Sequence, residues 1–95
     1  MNPFPQTLTE TDIEEEILRA EKKQNELVIY NDDFNSFDYV IDTLIKVCRH
    51  EPLQAEQCTL MIHYNGKCSV KMGEYKKLRP LCENILERGL TAEII

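Results

Sequence analysis

The chain has 95 residues, 42% of them apolar and 29% charged, and carries a net charge of −6. That length gives room for one core and no second domain, and that balance suits a globular fold rather than a disordered one. Acidic charge makes nucleic acid a poor partner, no run approaches the about 18 apolar residues of a membrane span, and Met1-Asn2-Pro3-Phe4-Pro5 lacks the basic and apolar stretches of a secretory signal, so a cytoplasmic protein is expected.

Residues 1–26 hold seven acidic against three basic side chains. Thr11-Asp12-Ile13-Glu14-Glu15-Glu16-Ile17-Leu18 places acids where a helix start favours them, but Ile13, Ile17 and Leu18 make too narrow a stripe to dock on a core. Residues 1–25 are therefore expected to form a flexible acidic extension, and residues 26–95 the folded domain.

Leu27-Val28-Ile29-Tyr30 is a β-branched and aromatic run that ends at Asn31-Asp32-Asp33, whose side chains favour turns. It predicts a buried strand feeding a polar loop. Phe37, Val40, Ile41, Leu44, Ile45 and Cys48 then recur at the spacing of an amphipathic helix, for which Asn35 is the candidate cap. Pro52 suits the first turn of a second helix, carried by Leu53, Ala55, Leu60 and Met61 to a left-handed stop at Asn65-Gly66. Residues 68–72 alternate like a half-exposed strand. Tyr75, Leu78, Leu81, Cys82, Ile85 and Leu86 form a third helical stripe, in which Pro80 either starts the main helix or kinks it. Residues 90–95 read as a last strand. The resulting order, β-α-α-β-α-β, predicts an α+β fold with three helices packed on a small three-stranded antiparallel sheet.

Polar and apolar groups can converge at two places, the loop 31–37 and the helix end 60–64. Asn31 and Asp32 offer acceptors directly after a strand, and a neutral histidine such as His63 has one acceptor nitrogen. Three acceptors without a neighbouring cation suit a ligand that brings its own positive charge. Taken singly, the same residues do no more than cap a helix and turn the chain. Cys48, Cys58, Cys68 and Cys82 form no C-x-x-C pair, and with His50 and His63 they match no usual zinc spacing, so they read as reduced thiols with no metal or other cofactor. No nucleophile elbow, phosphate loop or paired-acid arrangement is present, and no enzymatic activity is expected.

Leu27-Val28-Ile29-Tyr30-Asn31-Asp32-Asp33, then Phe37-Asp38-Tyr39-Val40-Ile41, and Ala55-Glu56-Gln57 leading to His63-Tyr64-Asn65-Gly66-Lys67, resemble the ClpS family of Clp protease adaptors over about residues 26–95. The hydrophobic-Asn-Asp-Asp run followed by a helix, with histidine-x-x-glycine closing the next helix, is specific only in combination. The resemblance implies an adaptor that holds proteins by a free, large hydrophobic N-terminal residue and delivers them to a Clp ATPase of the ClpA or ClpC kind. It implies that Asn31, Asp32 and His63 hold the α-amino group, and that Asn35, Phe37, Val40, Thr59, Ile62 and Leu90 line the side-chain pocket. Glu74, Lys76 and Lys77 are the implied contacts with the N-terminal domain of the chaperone, and the acidic extension a part needed for delivery. A monomer is expected. The rival reading is a scaffold or interaction domain of the same fold without a working pocket, and substitution of Asn31, Asp32 and His63 separates the two.

Overall fold

A computed structural model describes Glu10 and residues 24–95; the expected extension lies, but for Glu10 and the last two residues, outside them. The β-branched run becomes β1 (Asn25–Tyr30), followed by α1 (Phe37–Cys48), α2 (Pro52–Asn65), β2 (Lys67–Gly73), α3 (Tyr75–Glu87) and β3 (Thr91–Ile94). The most apolar strand takes the centre of the sheet, in the order β2-β1-β3, and pairs antiparallel on both sides. Alternation along β1 sends Leu27 and Ile29 into the core cluster, where they meet Val40, Leu44 and Val47 of α1, Ala55 and Ile62 of α2, and Leu78, Cys82 and Ile85 of α3. The expected α+β order is the observed one.

Local chemistry sets the element ends. The cap of α1 is Ser36 rather than Asn35: its Oγ accepts from the Tyr39 N–H at 3.1 Å. Asn35 is engaged elsewhere, its Nδ2 donating to Asp32 Oδ2 at 2.8 Å and to the Gly89 carbonyl at 3.0 Å. Gly66 closes α2 in the left-handed region at φ 87, and its N–H returns to the Ile62 carbonyl. Helix α3 begins five residues before Pro80, so the proline lies within it and does not start it. The carbonyl deprived of a donor there belongs to Lys76, an exposed residue. The last strand is shorter than expected: Leu90 precedes β3 and is buried in the core.

Two sets of tethers position the loop between β1 and α1. At its start the Asn31 N–H donates to the Gly66 carbonyl at 2.8 Å, which brings the end of β1 to the end of α2. Behind it, the Tyr39 hydroxyl donates to the Arg88 carbonyl at 2.7 Å. The Arg88 guanidinium in turn reaches Asp42 Oδ2 at 2.9 Å and Thr43 Oγ1 at 3.0 Å. Helix α1 is thereby pinned to the turn between α3 and β3. All four cysteines are free thiols; Cys48 and Cys82 are buried, Cys58 and Cys68 half-buried.

Candidate functional site

A cleft of about 460 Å³ opens between the β1–α1 loop, the first turn of α1 and the last turns of α2, lined by Asn31, Asp32, Asp33, Asn35, Phe37, Val40, Thr59, Ile62 and His63. The helical periodicities explain the convergence. Phe37 and Val40 are three apart on α1, while Thr59, Ile62 and His63 are three and four apart on α2, so each set shares one helix face. Val40, Thr59 and Ile62 are buried, whereas Asn31, Asp33, Phe37 and His63 are exposed. The cleft thus has an almost wholly apolar floor and a rim rich in acceptors.

Asp32 is the most constrained group on the rim. Its Oδ1 accepts from the backbone N–H groups of Phe34 at 2.9 Å and Asn35 at 2.8 Å, and its Oδ2 from the Asn35 side chain at 2.8 Å. Burial acts to raise the carboxyl pKa, but the three hydrogen bonds outweigh it and hold the group below its ordinary value. Asp32 is therefore a preformed anion near neutral pH, and Oδ2, with one bond accepted, retains capacity for a further donor. The His63 ring meets Tyr64 edge to face, with centroids 5.1 Å apart.

Of the nine site residues expected around the pocket, the structure brings together Asn31, Asp32, Asn35, Phe37, Val40, Thr59, Ile62 and His63. Leu90 is not among the lining residues and belongs to the core cluster. It directly follows Arg88 and Gly89, whose carbonyls accept from Tyr39 and Asn35. Asp33 lines the cleft as well and was not among the expected contacts; its place in the Asn-Asp-Asp run was the signal for it. Glu74, Lys76 and Lys77 lie at the start of α3, away from the lining, with the Glu74 carbonyl accepting from the N–H groups of Lys77 and Leu78. Among the described residues, no three His, Cys, Asp or Glu side chains are placed to hold a metal ion, and no helix is long and apolar enough to cross a membrane.

The structure thus joins a small α+β domain to a cleft with acceptors on its rim and apolar side chains on its floor. The family profile described as ATP-dependent Clp protease adaptor protein ClpS matches residues 20–93, and the chain belongs to that family. It is 33% identical over 64 residues to the ClpS adapter protein of Campylobacter jejuni, covering 67% of this chain and 60% of that one. It is 31% identical to that of Wolinella succinogenes, covering 61% of this chain and 57% of that one. The match to the Thermosynechococcus vestitus adapter, at 28% identity, covers 81% of this chain and 83% of that protein. The first two alignments thus span less than two thirds of their relatives' length. Among solved structures, that of Agrobacterium tumefaciens ClpS2 bound to L-phenylalaninamide superposes with a TM-score of 0.67 at 20% identity, over 79% of this chain and 98% of that one, and so shares the fold.

Proposed function

We propose that this protein is a non-catalytic adaptor that captures cytoplasmic proteins by a free, large hydrophobic N-terminal residue and presents them to a Clp ATPase for degradation. The cleft carries the reading: it pairs a preformed carboxylate and two further acceptors at the mouth with an apolar floor, the complement of an α-ammonium attached to a hydrophobic side chain. The related ClpS2 structure holds L-phenylalaninamide, a molecule of just that kind. In this reading Asn31, Asp32 and His63 take the amino group, Asn35 and Phe37 frame the entrance, and Val40, Thr59 and Ile62 receive the side chain. Residues 26–95 are the recognition domain and the acidic residues 1–25 the delivery extension, while Glu74, Lys76 and Lys77 contact the N-terminal domain of the ATPase.

The energetics suit a reversible carrier. A charge-assisted hydrogen bond contributes about 1.5–3 kcal/mol, and burial of a leucine or phenylalanine side chain about as much again. Association entropy consumes several kcal/mol of that gain, which leaves modest affinity for the first residue and lets cargo be handed on. Acetylation removes the charge and two donors and leaves Asp32 without its partner. The test is fluorescence anisotropy with short peptides that differ only in the first residue, against an acetylated control. Binding confined to free large hydrophobic N-termini supports the adaptor; equal binding of free and acetylated peptides, or none of either, refutes it and leaves a scaffold domain.

A further inference from the structure

The cleft floor contains one polar side chain. Val40, Thr59 and Ile62 are the buried lining residues, each under 10% exposed, and Thr59 at 2% is the least exposed of them. The Thr59 hydroxyl donates its proton to the Ala55 carbonyl one turn back in α2, at 2.7 Å. A hydroxyl has one proton and two lone pairs, so with the proton committed the oxygen can only accept. The Thr59 side chain therefore has an acceptor, and no donor, left for a group that enters the cleft.

Resting on the adaptor reading above, we infer that Thr59 sets the cleft's specificity: its oxygen accepts a hydrogen bond from the side chain of the bound N-terminal residue, so that tyrosine, whose phenol donates, is preferred to phenylalanine and leucine. A phenylalanine or leucine side chain covers the oxygen and displaces any water on it without replacing the bond. A tyrosine hydroxyl replaces it. Because the Thr59 proton is already used, the preference rests on a gained bond rather than on an abandoned donor, and it is correspondingly moderate. Tyr64 and Phe34, both exposed, are not lining residues and supply no such discrimination.

The experiment compares peptides identical but for an N-terminal tyrosine, phenylalanine or leucine, by anisotropy, on the full chain, on Thr59→Val and on Thr59→Ser. The unsubstituted protein is expected to bind the tyrosine peptide roughly three- to tenfold more tightly than the phenylalanine peptide. Thr59→Val, of nearly the same shape, brings that ratio to about one, and Thr59→Ser retains it. Thermal unfolding followed by circular dichroism reports that each variant is folded, and the ratio of the two affinities, rather than either alone, reads the role of the hydroxyl. Equal binding of tyrosine and phenylalanine to the unsubstituted chain, or a ratio that survives in Thr59→Val, overturns the assignment and leaves the adaptor reading standing. Failure of all three peptides to bind the unsubstituted chain removes both.

Discussion

Asp32 shows how one side chain is given a charge and a direction at once. Three donors from Phe34 and Asn35 hold its carboxyl below its ordinary pKa, although burial pulls the other way. A folded-state value below the unfolded one stabilises the fold above the ordinary carboxylate range, and this contribution is lost as pH falls through the lowered value. Asp32→Ala is expected to weaken peptide binding about 10- to 100-fold, the loss of one charge-assisted bond. Asp32→Asn is expected to flatten the acid limb of a stability–pH curve, read from thermal unfolding between about pH 2 and 5. A steep acid limb that Asp32→Asn leaves unchanged contradicts the anionic role. The thiols behave oppositely. Burial pushes Cys48 up to about 11, and burial together with neighbouring Cys58 does the same to Cys68. At about pH 8 the thiolate fraction at either is on the order of one in a thousand, so native protein should be alkylated at Cys48 and Cys68 far more slowly than unfolded protein, as mass spectrometry after timed iodoacetamide treatment will show.

At the scale of elements, α1 separates what its own residues dictate from what distant ones decide. The stripe from Phe37 to Cys48 is a local signal, and the helix stands where that stripe lies. Its cap is another matter, because Asn35 and Ser36 are adjacent and both are good cap residues. Ser36 takes the task while the Asn35 amide goes to Asp32, three residues back, and to a distant partner, the Gly89 carbonyl 54 residues further on. No local pattern contains that partner. The same long-range turn draws Leu90 inward, which is why a residue expected on the pocket wall belongs to the core. Pro80 was ambiguous for a related reason: whether a helix runs through a proline depends on where the unpaired carbonyl faces, and Lys76 is exposed. By contrast the acceptors were legible in Asn-Asp-Asp and His63 themselves, while the floor residues Val40, Thr59 and Ile62 were implied only by the resemblance to the ClpS family. Ser36→Ala should therefore destabilise the protein by about 1 kcal/mol while leaving peptide affinity nearly unchanged. Denaturant unfolding and anisotropy on the same sample check both halves.

Over the whole molecule, the cleft depends on a joint between α1 and the turn that leads to β3. Two independent tethers make it: Asn35 Nδ2 to the Gly89 carbonyl at 3.0 Å and the Tyr39 hydroxyl to the Arg88 carbonyl at 2.7 Å. The Arg88 side chain braces them from the far side, lying over the Tyr39 ring at 5.2 Å and reaching Asp42 and Thr43. Both tethers end on neighbouring carbonyls, so loss of one leaves the turn still held by the other, and loss of both frees it. The energies should accordingly be non-additive. Tyr39→Phe removes only a hydroxyl and is expected to cost about 1 kcal/mol of stability with little loss of affinity. Asn35→Ala removes a donor to Asp32 as well and is expected to lower affinity several-fold at a similar cost in stability. The double variant should lose more stability than the two single costs combined, by about 0.5 kcal/mol or more, and should bind peptide more weakly than the single losses predict. A double-mutant cycle by denaturant unfolding and anisotropy measures both coupling terms. Strict additivity in both would mean that the turn is held by the Arg88 side chain and the core around Leu90, and that the cleft does not rely on the joint.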